Sequence, residues 1–196
     1  MALWGTSDAD ESKPKNLTTA EKKEVFANNS GWVREAGSIW SGNDNTDADP
    51  EVLVAVSGLA DSIGAADVTE VEWITSTADK SAGFTLSVRV RYNEAVTVTG
   101  SPTIAVTNGN QGSGSGRGPH TLVYASGTGT NELVFSLAIA AANAATNADD
   151  VLTIGAQNIL KPGGATLKDT GDGTTNSAVA ISGTQGTAAG SITVVA

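Results

Sequence analysis

The chain has 196 residues, no cysteine and a formal net charge of −10 at pH 7. Without cysteine, a disulfide framework and any thiolate nucleophile or metal ligand are excluded. An acidic chain with no basic stripe is a poor candidate for nucleic-acid binding, because phosphate neutralisation needs clustered lysine or arginine side chains.

Residues 1–16 are mostly polar and predict an extended arm, with Leu3 and Trp4 near its tip. A tryptophan at the end of a polar arm favours docking, so Leu3 and Trp4 are candidate interface residues. The arm lacks the basic end and apolar stretch of a secretory signal, and no apolar run is long enough to span a membrane. We therefore expect a chain that is made in a cytoplasm and does not enter a membrane.

A short helix is predicted over residues 19–27. Thr18 and Glu21 have the spacing of a capping box, and good helix formers follow them. A helix of about two turns is unstable alone, so it must pack through Val25 and Phe26. We count Val25 and Phe26 as further candidate interface residues.

Residues 31–36 and 39–40 predict short strands, and 51–56 predict a buried strand. Three of the four tryptophans, Trp32, Trp40 and Trp73, are expected in a small core where this segment meets the rest of the chain. Trp32 is also a candidate interface residue, since tryptophan is enriched at interface hot spots.

The polar loop between these strands carries a candidate calcium site. Asp44, Asp47 and Asp49 alternate with amide and hydroxyl side chains, and oxygen ligands of this kind suit Ca²⁺. The loop lacks the glycine and the glutamate of an EF-hand loop, and such Asp/Asn segments also form simple turns. Both interpretations stay open, with no other cofactor expected.

The second part of the chain alternates apolar and polar residues, as strands with one buried face do. The clearest run is 84–92, followed by 96–98, 103–107, 121–124 and 133–139. Such amphipathic strands need a second layer to cover them, which predicts a β-sandwich. The apolar end, 191–196, is expected either to pair within a sheet or to pair with a neighbouring chain.

Net charge also differs between the first and second parts of the chain. Residues 1–80 carry fifteen acids and six bases, giving −9, whereas residues 81–196 carry six acids and five bases, giving −1. We predict an N-terminal arm and attachment region over 1–67, with a small α+β appendage, and a sandwich over 68–196. The acidic part is expected to be solvated or to face a basic partner.

Three segments carry a resemblance: Asn93–Pro102 (NEAVTVTGSP), Tyr124–Phe135 (YASGTGTNELVF) and Gly163–Asp169 (GGATLKD). On these motifs, residues 84–180 resemble the bacterial Ig-like repeats of large surface and adhesion proteins. The resemblance implies a mainly β fold, an Ig-like antiparallel β-sandwich. This sequence differs from those proteins in holding one copy.

The N-terminal part resembles other proteins. Met1–Gly5 (MALWG), Pro14–Thr18 (PKNLT), Val25–Val33 (VFANNSGWV) and Glu51–Ala55 (EVLVA) are similar to virion structural proteins of marine cyanobacterial tailed phages. This resemblance implies a component of a phage particle, made in the host cytoplasm and located in the virion. Its implied partners are the major capsid protein, other virion proteins and copies of itself, for instance as a trimer.

No residue pattern predicts catalysis. His120, the single histidine, follows a glycine-rich loop and has no partner acid near it in sequence, so we expect a surface residue. Glu94 and Asp169 fall within the Ig-like motifs and are expected to serve turns. The hypothesis is therefore a non-enzymatic virion protein that decorates the head and attaches through its N-terminal region. The alternatives are a tail or fibre component, or a carbohydrate- or cell-surface-binding module that uses loops at one end of the sandwich.

Overall fold

The computed structural model describes residues 13–110, 119–141, 143 and 145–196. Strands dominate these residues, so the fold is mainly β, as the alternation predicts. In chain order the elements are α1 Thr19–Lys23, β1 Val25–Asn28, β2 Gly31–Arg34, β3 Glu51–Ala55, β4 Val68–Trp73, β5 Ala78–Asp79, β6 Phe84–Thr99, β7 Thr103–Asn110, β8 His120–Ser126, β9 Thr130–Ile139, β10 Asp150–Thr153, β11 Gln157–Asn158, a 3₁₀ turn Pro162–Gly164, β12 Thr166–Asp169, β13 Ala180–Ile181, α2 Gly183–Ala188 and β14 Ser191–Val195.

Strand β6 is the centre of the fold. Its sixteen residues join the two runs 84–92 and 96–98 into one strand, and the even-numbered positions from 86 to 96 are all buried. It pairs antiparallel with β4, β9 and β12 and parallel with β1. A strand with four partners positions most other elements of the molecule.

Twelve strands form one continuous sheet in the order β3-β2-β1-β6-β9-β8-β7-β10-β14-β5, with β4 and β12 also on β6. Strands β11 and β13 form a separate pair. Most pairings are antiparallel, as the Ig-like prediction requires, but β1–β6 and β14–β5 are parallel. The apolar tail predicted at 191–196 is paired within the chain, since β14 lies between β10 and β5.

The main core lies between the inward faces of this sheet, in a sandwich-like arrangement. The central contributors are fully buried side chains from β6, β9, β8 and β10, including Val88, Tyr92, Phe135, Leu122 and Leu152. Alternate residues along each strand point inward, so each strand supplies one apolar row. The buried Tyr92 hydroxyl donates a hydrogen bond to the Ala178 carbonyl at 3.0 Å.

Helix α2 was not expected. Ser182 and Gln185 form a complete capping box at its start, the same arrangement that Thr18 and Glu21 form at α1. Gly186 allows α2 to approach the sheet, because a Cβ there would lie 2.3 Å from the Ile154 carbonyl oxygen.

Three predictions for the N-terminal part are wrong. Helix α1 ends at Lys23, not at residue 27, and Val25 and Phe26 lie in β1, where alternate residues are buried. Residues 39–40 form a turn, and Trp40 is 44% exposed. Strand β3 is not buried, because it is the edge of the sheet and Val52 is 48% exposed.

This part has a small core of its own. The buried residues are Val25, Ala27, Trp32, Leu59 and Ile63. Trp32 has no exposed surface, as predicted for a core tryptophan. Trp73 instead packs against the main core and is partly exposed.

Candidate functional site

The N-terminal unit, defined as residues 13–67, is joined to the sandwich, residues 68–196, by a buried arginine. The Arg91 side chain is 7% exposed and lies among three carboxylates. Its Nη1 lies 2.7 Å from Glu35 Oε1 and 2.7 Å from Glu132 Oε1, and its Nε lies 3.2 Å from Glu72 Oε1. Nη1 also donates to the Lys23 carbonyl at 3.1 Å. Arg91 therefore binds α1 and the segment after β2 to the sheet.

The charges around Arg91 shift one another's proton affinity. Burial alone would lower the pKa of Arg91, but the carboxylates of Glu35, Glu132 and Glu72 raise it above its ordinary value. Burial, together with the nearby Glu35 carboxylate, raises the pKa of Glu132. Burial lowers the pKa of Lys13 to about 8, although Glu35 acts in the opposite direction. The junction is thus a partly desolvated network of charges.

Backbone pairing strengthens the same junction. Ala27 of β1 lies in parallel register with Glu94 of β6, which is fully buried and lies in a strand, not in the turn that its motif predicts. Asn131 Nδ2 donates to Glu35 Oε1 at 2.8 Å. The described part of the N-terminal region is therefore a docked unit, and residues 1–12 of the predicted arm lie outside the described ranges.

The predicted interface residues fall into three groups. Leu3 and Trp4 lie outside the described residues. Val25 and Trp32 have no exposed surface, because they fill the small core. Phe26 is half-buried and keeps some surface that a partner could contact.

Sequence reasoning missed an exposed apolar patch. Ile39 is 81% exposed, Trp40 44% and Val52 48%. Ile39 and Trp40 lie in the turn after β2, where Arg34 Nη1 donates to the Trp40 carbonyl at 2.9 Å and lies 3.3 Å from Glu51 Oε2, and Val52 is the next residue along β3. We call Ile39, Trp40 and Val52 the edge patch. The sequence does hold one sign of this exposure. Ile39 and Trp40 come directly before a long polar loop, which has no large apolar side chains to cover them.

A cleft of about 770 Å³ opens between α1, α2 and β4. Lys13, Lys22 and Lys23 line it together with Asp67 and Glu70. Lys23 forms an ion pair with Glu70, and Lys13 Nζ donates to the Lys22 carbonyl at 2.6 Å. Because its walls carry both acids and bases, the cleft does not concentrate charge of one sign.

The candidate calcium loop is exposed. Asp44, Asp47 and Asp49 all face solvent. The amide oxygens of Asn43 and Asn45 accept backbone N–H bonds at 3.1 and 3.0 Å, which is the geometry of successive Asx turns. Among the described residues, no three histidine, aspartate or glutamate side chains are grouped so that they could hold a metal ion.

His120 is not the surface residue that its loop predicts, since it is 6% exposed at the start of β8. Asn108 Nδ2 lies 3.2 Å and Thr146 Oγ1 3.0 Å from its Nε2. The Asn108 amide nitrogen can only donate, so this geometry assigns the neutral ring a proton on Nδ1. Burial lowers the pKa of His120, and the carboxylate of Asp150 opposes that shift.

Asp169 serves a turn, as predicted. Its Oδ1 accepts the Gly171 N–H at 2.7 Å, and burial raises the pKa of its carboxyl. His120 and Asp169 belong to separate strands, β8 and β12, that are not neighbours in the sheet.

Comparison with family models, with curated proteins and with solved structures gives no match for this chain. Within the described ranges, no helix is long and apolar enough to cross a membrane.

Proposed function

We propose that this chain is a non-enzymatic structural protein of a tailed-phage virion, one that decorates the head and attaches through its N-terminal region. Its partners in this proposal are the major capsid protein or other virion proteins and further copies of the chain. The sandwich faces outward and the N-terminal unit faces the particle. A place on the tail or fibre is the alternative location.

The edge patch is the observation that carries the proposal. Ile39 and Trp40 lie in the turn after β2, Val52 lies in β3, the strand at the end of the sheet, and all three are apolar and exposed. Large exposed apolar side chains near a sheet edge are candidates for protein–protein contacts. Because the unit is held to the sandwich by Arg91, a contact made there transmits position to the whole molecule.

The similarity of the N-terminal segments to virion proteins of cyanobacterial phages supports the same role. Two of those segments, Val25–Val33 and Glu51–Ala55, supply β1, β2 and β3, the small sheet that ends in the edge patch. Domains of the Ig-like type recur as decorations on particles, and this argument is one of analogy from fold.

Incorporation into particles tests the proposal. One variant lacks residues 1–12, which removes Leu3 and Trp4 but keeps Lys13, whose ammonium bonds to α1. A second variant combines Ile39→Ser and Trp40→Ser, both at exposed positions. We expect each variant to fold and to be strongly depleted from purified particles, measured by quantitative mass spectrometry of the virion proteins.

Leu160→Ser is the matched control, because Leu160 is 62% exposed but lies on the sandwich. It should incorporate at the wild-type level. Circular dichroism and melting temperature establish that each variant is folded. Wild-type incorporation of both folded variants would rule out attachment through the N-terminal region.

A further inference from the structure

We propose that Lys13 is a reactive amine that forms imines with small aldehydes admitted by the cleft between α1, α2 and β4. The cleft of about 770 Å³ falls within the range of about 300–1,000 Å³ that small-molecule sites occupy. Lys13 lies on its wall. The site is separate from the edge patch, so it adds a binding function to the attachment role proposed above.

The main chain and the side chain of Lys13 are both held in place. Pro14, the next residue, is buried, and its carbonyl accepts the Leu17 N–H at 3.4 Å. The Lys13 side chain is partly buried, and its Nζ donates to the Lys22 carbonyl at 2.6 Å. The amine is therefore held against the last turn of α1, at the wall of the cleft.

The Lys13 amine lacks a counter-charge of its own. Among the described residues, it forms no ion pair with a carboxylate. The two carboxylates that favour its ammonium form, Glu35 and Glu70, are engaged by other cations. Glu35 lies 2.7 Å from Arg91 Nη1, and Glu70 forms an ion pair with Lys23. A partly buried ammonium without a paired carboxylate is costly, whereas a neutral amine can keep its one hydrogen bond.

The other charges near the cleft do not supply the missing partner. The Lys22 ammonium and the Arg91 guanidinium disfavour a positive charge on Lys13, and Asp67 is exposed to solvent. Burial has the largest effect and lowers the pKa of Lys13 to about 8. Near neutral pH, more of this amine is therefore in the neutral, nucleophilic form than in an ordinary lysine, whose pKa is about 10.4.

The proposed reaction is a condensation. The lone pair of the neutral Lys13 Nζ forms a bond to the aldehyde carbon, and the π bond of the carbonyl group breaks. The two hydrogens of the amine then leave with the aldehyde oxygen as one molecule of water, and a C=N double bond remains. No oxidant or reductant takes part, and the reaction is reversible.

Competitive acetylation of the full chain with trace acetic anhydride measures the neutral fraction of the Lys13 amine against pH. Labelling of Lys13 should reach half its maximum near pH 8, and that of Nα-acetyl-lysine in the same solution near pH ~10.4. Glu70→Gln keeps the size of that side chain and removes a carboxylate that favours the ammonium, so the Lys13 midpoint should fall further. A Lys13 midpoint equal to that of Nα-acetyl-lysine would overturn the proposal.

Reductive trapping tests whether aldehydes reach the amine. The full chain is incubated at neutral pH with glyceraldehyde and cyanoborohydride, which converts imines to stable secondary amines. Peptide mass spectrometry separates a label on Lys13 from one on the α-amino group of Met1. Lys13 should be labelled about tenfold faster than Nα-acetyl-lysine, because more of its amine is neutral, although a less basic amine is a weaker nucleophile.

Lys13→Arg is the matched control, since it keeps a cation at this position but has no amine that forms an imine. It should lose the fast label and keep the slower labelling of the other amines. Labelling of Lys13 no faster than that of Nα-acetyl-lysine would overturn the proposal. Incorporation into particles is measured separately, so this result would leave the proposed function intact.

Discussion

The N-terminal unit and the sandwich bury very different amounts of apolar side chain. Among the described residues, the small core holds five buried residues, whereas the main core holds twenty-one. A unit of this size with so small a core is not expected to fold alone. It is stabilised by its contacts with the sandwich, namely the parallel pairing of β1 with β6 and the ion pairs of Arg91.

The two regions are therefore stabilised in different ways. The sandwich is held by apolar burial over many strands, and it needs no partner to complete its core. The N-terminal unit is held by charge and by one strand pairing, and within the described ranges its strand β3 pairs with β2 alone. The free energy of local opening rises with burial. Amide hydrogen exchange should therefore be faster in the N-terminal unit than in the sandwich.

The largest expected effects come from removing one buried aromatic side chain from each core in turn. Trp32→Ala and Phe135→Ala each delete a fully buried aromatic side chain, at a cost of about 3–5 kcal/mol. Trp32→Ala should raise hydrogen exchange in β1, β2 and β3 while β6 and β9 stay protected. Phe135→Ala should raise exchange everywhere. Equal loss of protection in β9 for both variants would show that the two regions unfold as one.

Arg91→Met should have the next largest effect. It removes the cation that lies 2.7 Å from Glu35 and leaves Glu72 and Glu132 with Arg89, at 3.1 and 3.3 Å. The three carboxylate side chains are only 19–31% exposed. Breaking such a pair from one side costs roughly 2–3 kcal/mol here, below the value for fully buried pairs because water screens the carboxylates. Urea denaturation at pH 7 measures the loss of stability.

Arg91→Lys is the matched control for that variant. It keeps the charge but loses the planar fork that contacts three carboxylates at once, so it should recover part of the stability. The loss in Arg91→Met should also shrink at acidic pH, because burial raises the pKa of Glu132 and this carboxylate is protonated there. A loss that is the same at pH 4 and pH 7 would show that Arg91 stabilises the junction by packing and not by charge.

Much of the sandwich was predictable, because its signals are local. Strict alternation over 84–92 and 133–139 gives β6 and β9 with their buried faces, and Thr18 with Glu21 gives the start of α1. The same spacing at Ser182 and Gln185 marks α2. Glycines inside that helix hid the signal, since glycine is a poor helix former.

The errors share a physical cause, which is that they depend on partners distant in sequence. Val25 and Phe26 follow good helix formers, but pairing of β1 with β6 overrides that propensity. The apolar run of β3 is typical of a central strand, and only topology places it at the edge. The sequence contains no local sign that the chain approaches Arg91 from three separate segments.

His120 is a similar case, and it gives the smallest of the expected effects. Its contacts, Asn108 and Thr146, come from β7 and from the segment before β10, so its burial could not be inferred from the adjacent glycine-rich loop. Burial lowers the pKa of His120 below the unfolded value of about 6.5. The unfolded chain therefore binds the proton more readily. The contribution of neutral His120 to folding stability is fully present above about pH 6.5 and is lost as the pH falls through the pKa of His120 in the folded chain.

Protonation would place an N–H on Nε2 against the amide hydrogens of Asn108, and the contact would become repulsive. The urea midpoint of the wild type should thus fall, as the pH decreases below about 6.5, by more than that of His120→Gln, which has no imidazole to titrate. Comparing the two variants cancels the carboxylates they share, Asp150 included. The acid-sensitive exchange should appear in β7 and β8 and not in β1–β3. Equal pH dependence in both proteins would mean that His120 titrates as freely in the folded chain as in the unfolded one, and the sandwich would then have no acid-sensitive contact at this position.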